Sequence, residues 1–150
     1  MAKSTQKKEI IDLPAMKIQN LEVTLIGDSP LITHKWSEKA KKAMRDKQGG
    51  KATQKKDPKD PEQDYQDAIH RDEDGDYAFP SIGFKAAAVT ACTSLDMTKV
   101  AARQTFHVDE EYVKIKGDDP VMREDMVRIG QGTADLRYRP EYKNWYTILR

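Results

Sequence analysis

The sequence predicts an α+β domain in which an antiparallel sheet carries helices on one face. Three observations lead there. Leu21, Val23 and Leu25 alternate with Glu22 and Thr24, the pattern of a half-buried strand. A strand end at 77–79 meets Pro80 and passes directly into a small-residue helix from Ser81. Near the end of the chain Leu136 and Tyr138, then Trp145, Thr147 and Leu149, alternate with Arg137, Arg139, Tyr146 and Ile148.

Residues 1–16 are polar and basic with Pro14 and read as an arm, leaving 17–150 as one domain. The first strand, expected over 17–27, stops at Gly27 before the turn residues Asp28, Ser29 and Pro30. Ser37 caps a helix to residue 48, closed by Gly49 and Gly50. Its few apolar positions, Ala40, Ala43 and Met44, place it on the surface. Residues 49–60 lack periodicity and large apolar side chains, so a disordered loop open to trypsin between Lys51 and Lys59 is expected. Asp60 and Pro61 suit the start of a short helix held by Tyr65, Ala68 and Ile69.

The acidic density of Arg71-Asp72-Glu73-Asp74-Gly75-Asp76 invites a calcium reading, but the run lacks the alternating ligands and the glycine and glutamate register of an EF-hand loop. Asp74-Gly75 as a tight turn is the better account. The helix over 81–94 should bury Ile82, Ala86 and Val89, and Asp96 should cap a further helix over 97–105 that buries Met97 and Val100. A strand over 111–116 follows, then VMREDMVRIG, and then two strands joined near 140–144. The expected core is Leu21, Val23, Leu25, Phe79, Ile82, Val89, Val100 and Val113. This order of elements matches an RRM-like or ferredoxin-like arrangement. A last strand ending at TILR is expected to leave an open edge suited to self-association.

The net charge of +1 hides a segregation. Residues 1–60 carry 14 lysines and arginines against 8 carboxylates, 61–120 carry 6 against 13, and 121–150 carry 6 against 4. A basic start and an acidic middle permit a face for a polyanion. No apolar run approaches 18 residues, and the N-terminus lacks a signal-peptide pattern, so a cytoplasmic protein without membrane contact is expected. The single Cys92 excludes an internal disulfide, and its apolar surroundings suggest an inert thiol. His34, His70 and His107 have no metal-ligand spacing, and there is neither a phosphate-binding glycine loop nor a nucleophile signature. The reading is therefore non-catalytic, without metal or cofactor.

Phe79-Pro80-Ser81-Ile82-Gly83-Phe84-Lys85-Ala86-Ala87 resembles the aliphatic, Pro, small, small, x, x, Lys, small segment of the RAMP superfamily, the RRM-like backbone proteins of CRISPR effector complexes. The resemblance covers about ten residues, with a weaker likeness over 21–31. It implies RNA binding and stacking along a nucleic-acid strand, and points to Lys85. The order of segments is also similar to that of uncharacterised bacteriophage and prophage proteins, which implies a phage origin.

From the residues themselves, Arg137, Tyr138 and Arg139 pair guanidinium groups for phosphates with a ring on which a base stacks, and Arg123 and Arg128 lie just upstream. Lys85, Arg123, Arg128, Arg137, Tyr138 and Arg139 are thus the expected contacts for single-stranded nucleic acid, DNA or RNA, at low sequence specificity. The competing reading is a protein-binding module, an assembly component or an inhibitor of a host defence complex, whose acidic middle mimics nucleic acid. The plain alternative for the contacts themselves is that Tyr138 and Trp145 point inward as core residues and the arginines are solvated partners of Glu124, Asp125 and Asp135.

Overall fold

The computed structural model describes residue 15 and residues 17–51, 58–130 and 132–150. The expected arm, Ala15 aside, and residues 52–57 of the expected loop lie outside the described residues.

Strands β1 (Val23–Ile26) and β2 (Leu31–Ile32) precede helices α1 (Glu38–Gln48) and α2 (Pro61–Ala68). Then come β3 (Ala78–Pro80), α3 (Ser81–Ala91), a 3-10 turn over Cys92–Leu95, and α4 (Lys99–Thr105). The chain closes with β4 (Tyr112–Lys114), β5 (Lys116–Gly117), β6 (Val121–Ile129), β7 (Thr133–Tyr142) and β8 (Trp145–Leu149). The class is α+β with antiparallel pairing throughout, as expected. The pairing is divided over three small sheets, β1–β8–β5, β2–β7–β6 and β3–β4.

Ile115, between β4 and β5, binds the carbonyl of Tyr77 at 2.8 Å, and the Thr147 hydroxyl donates to Lys114 O at 2.9 Å. These bonds join the first sheet to the third. β8 therefore lies in the middle of its sheet, with β1 on one side and β5 on the other. The open edge expected at the last strand is filled. β7 and β8 are joined near 140–144, but they enter different sheets because β7 pairs with β2 and β6.

Capping follows the sequence for α1 and α2. Ser37 accepts from Ala40 N, Asp60 accepts from Gln63 N, and Tyr65, Ala68 and Ile69 are buried. It differs for α4, where Thr98 accepts from Ala101 N while Asp96 sits in the left-handed turn at φ 57°. Thr98 fits because its extended backbone lets the hydroxyl reach the first turn.

The core is Phe84, Val113, Ile115 and Tyr142, with Leu25, Leu31, Tyr77, Phe79, Val108, Trp145 and Leu149 packed around it. The Phe84 ring meets Phe79 edge-on at 5.6 Å and Trp145 at 6.0 Å. Burying side chains of this size contributes about 1.5–3 kcal/mol each. Of the expected core, Val89 and Val113 are buried and Leu25 and Phe79 pack against the cluster. Leu21, Val23, Ile82 and Val100 are exposed. For α3 the physical reason is a rotated face: Ser81, Phe84 and Val89 turn inward, because the Phe84 ring has more area to bury than Ile82. Leu21 precedes the paired part of β1, which begins only at Val23.

Candidate nucleic-acid interface

Five of the six residues expected to bind nucleic acid lie on the β6–β7 hairpin. Its register runs from Val121 opposite Glu141 to Ile129 opposite Thr133, closing through Gly130 and Gly132 at positive φ. Because side chains alternate across a strand, Arg123, Arg137 and Arg139 share one face with Asp125, Asp135 and Glu141. Arg123 binds Asp125 at 2.8 Å and Glu141 at 3.2 Å, and Arg139 reaches Asp125 at 3.5 Å. Arg137 binds Asp135 at 3.1 Å. Lys59 adds an ion pair to Asp135 and donates to Leu136 O at 2.7 Å. Its hydrogen bond is the main cause holding the Asp135 carboxyl below its ordinary pKa.

A phosphate approaching this face meets arginines already held by carboxylates. Tyr138 projects from the opposite face, across from Glu124, and its phenol is pushed up by burial and by that carboxylate. Arg128 is exposed and unpaired among the described residues. Lys85 belongs to α3, where its ammonium lies 3.2 Å from His107 Nδ1. The structure thus gathers Arg123, Arg137 and Arg139 on one face, sets Tyr138 on the other, and holds Lys85 on a separate element.

The arrangement sought in the hairpin occurs instead on the outer face of β1–β8–β5. Leu25, Thr147 and Leu149 point to the core side, so Thr24, Ile26, Tyr146 and Ile148 share the outer side. β5 brings Lys116 directly opposite Tyr146. Lys116 is exposed and has no ion-pair partner among the described residues. Beside this pair is an open hollow of about 490 Å³, lined by Thr24, Ile26, Gly27, Gly117, Asn144, Trp145 and Tyr146.

Two glycines shape that hollow. The Trp145 indole lies across Gly27 and donates to Ser29 O at 2.9 Å, so any Cβ at residue 27 would overlap the ring. Gly117, at φ 126°, lies against the Asn144 carbonyl, which also accepts from Asp118 N at 3.0 Å. The alternation of the last strand separates Tyr146 from Trp145 in the sequence alone. The meeting with Lys116 depends on β5, a two-residue strand too short to be read from periodicity.

The acidic run closes as a turn. Asp72 Oδ1 accepts from Asp74 N and Asp76 N at 3.1 and 2.9 Å, and Gly75 takes φ 89°. The Lys114 ammonium sits among Asp76, Asp74 and Asp72 at 2.7, 3.1 and 3.4 Å, which raises its pKa, and it supplies the cation these carboxylates need. No helix among the described residues is long and apolar enough to cross a membrane. Comparison with known protein families, curated proteins and solved structures gives no match.

Proposed function

We propose that the protein is a non-catalytic, low-specificity binder of single-stranded nucleic acid, working in a bacteriophage or prophage setting, and that its contact surface is the outer face of β1–β8–β5. The observation that supports this is the pairing of Tyr146 with Lys116 on a sheet face where both, and Ile26 beside them, are exposed. Tyr146, 39% exposed, offers a ring to a base, Ile26 and Ile148 extend the apolar platform, and Lys116 meets the phosphate. Contacts of this kind go to ring faces and phosphates, so discrimination between bases is weak.

The test is fluorescence anisotropy of labelled single-stranded DNA and RNA at several salt concentrations. Tyr146→Ala is expected to weaken binding by about 1–3 kcal/mol with little change in salt dependence, whereas Tyr138→Ala leaves binding unchanged. Absence of salt-dependent binding by the wild type would remove the reading.

A second reading, a protein-binding assembly component or inhibitor, is favoured by Ile82, Leu95, Met97 and Val100, all exposed along α3, the 3-10 turn and α4. Purification as a protein complex free of nucleic acid would support it.

A further inference from the structure

The backbone direction of the β6–β7 hairpin leaves one edge open. Thr33 N donates to Pro140 O at 3.2 Å, so the even-numbered backbone groups of β7 face β2. Its odd-numbered groups consequently bond to the odd-numbered residues of β6, their partners in register. Met122, Glu124, Met126 and Arg128 therefore aim N–H and C=O away from the hairpin, along a strand 9 residues long whose outer side no other strand among the described residues pairs with.

The side chains on this edge are unusual for one left alone. Met126 is 75% exposed beside Leu136, itself exposed, and Met122 is exposed as well. Glu124 and Arg128 flank Met126 two residues away on either side, on the same face and of opposite charge.

We propose that β6 joins two copies of this chain, pairing antiparallel with itself about a two-fold axis at Met126. In that register Met126 faces Met126 of the second copy, and Glu124 faces Arg128 of the second copy on both sides of the axis. Every one of these residues has its N–H and C=O directed outward, so each pair exchanges both backbone hydrogen bonds. The two three-stranded sheets β2–β7–β6 become one continuous sheet, and the Met126–Leu136 pairs of both copies form one apolar strip.

Other registers fit worse. An axis at Asp125 or Glu124 sets identical carboxylates opposite each other. An axis at Val127 leaves Glu124 facing Gly130. An unrelated strand would satisfy the backbone but has no reason to match this charge order, whereas a second copy matches it by symmetry. The inference is independent of nucleic-acid binding.

The experiment is sedimentation velocity on the full chain. The wild type should dimerise with rising concentration. Glu124→Arg and Arg128→Glu each place like charges opposite each other twice and should weaken dimerisation on the order of tenfold. An equimolar mixture of the two variants restores every opposite-charge pair and should form the heterodimer, and the double variant should dimerise with itself. Circular dichroism melts near that of the wild type confirm that each variant is folded.

Met126→Cys in a Cys92→Ser background should cross-link on oxidation, because residues in such a pair lie about 5.5 Å apart at Cα. A wild type that stays monomeric at the highest soluble concentration overturns the proposal. So do single variants that dimerise as well as the wild type, or a mixture no stronger than its components.

Discussion

The outer face of β1–β8–β5 and the charged face of the β6–β7 hairpin place cations and rings in opposite ways. On the hairpin, three arginines meet three carboxylates, Arg137 along its own strand, Arg139 across the strands and Arg123 both ways, and Tyr138 points to the other side. On the three-stranded sheet a single lysine stands opposite a single tyrosine with no carboxylate between them. In the sequence the hairpin is the richer stretch, since Arg137-Tyr138-Arg139 places two cations around a ring. Adjacency along a strand separates neighbours onto opposite faces, however, while adjacency across strands brings side chains together.

The largest expected difference between the two regions lies in their glycines. Gly117→Ala is expected to destabilise the fold by about 2–4 kcal/mol, because its Cβ would meet backbone rather than a movable side chain and its φ disfavours any side chain. Gly132→Ala, also at positive φ but with open space around it, should cost only about 1–2 kcal/mol of backbone strain. Urea denaturation measures both. Equal losses would mean that the hollow beside Tyr146 is not built by close backbone approach.

A smaller effect depends on pH and reaches the hairpin through one of two histidines. His70 is held below its ordinary pKa, first by burial and then by Lys35; its Nδ1 is buried without a partner, and its ring stands edge-on to Phe79 at 5.6 Å. His34, beside the hairpin, is lowered by loss of solvent and then by Arg139 and Arg137. A lowered histidine pKa means that the unfolded chain takes up the proton first as pH falls. Stability from both groups is therefore complete above the unfolded value of about 6.5 and declines below it. Melts between neutral and mildly acid pH should show this decline, and His70→Phe should flatten it. If the decline were unchanged in both His70→Phe and His34→Gln, other groups would have to carry it.

What was legible in the sequence follows from local physics. Ser37, Asp60 and Pro61 mark helix starts through their own side chains, and the alternation in WYTIL separates Tyr146 from Trp145. The role of VMREDMVRIG was not legible. Its charges leave only Val121 and Val127 as an apolar trace on one face, and pairing with β7 is what makes it a strand. The inward face of α3 differs from the expected one because Ile82 and Phe84 both lie within one turn, and the larger Phe84 ring takes the place against Phe79 and Trp145. The cross-strand ion pairs Arg123–Glu141 and Arg139–Asp125 depend on register, which a hairpin closed through Gly130 and Gly132 sets and composition does not, whereas Arg137 and Asp135 lie two residues apart on one strand.

The smallest effect is also the sharpest test of the comparison. If Lys116 meets a phosphate, Lys116→Gln should lower the slope of log affinity against log salt by roughly 0.7, the single-strand value for one contact, and leave the melting temperature nearly unchanged. Arg137→Gln should leave the slope alone, since Asp135 already holds that guanidinium at 3.1 Å and keeps it from neutralising a phosphate. Its effect on stability should be slight too, because Lys59 still neutralises Asp135. The reverse outcome, a slope that falls with Arg137→Gln and holds with Lys116→Gln, would mean that nucleic acid displaces the hairpin carboxylates. The contact surface would then belong to β6 and β7, where the linear sequence places it.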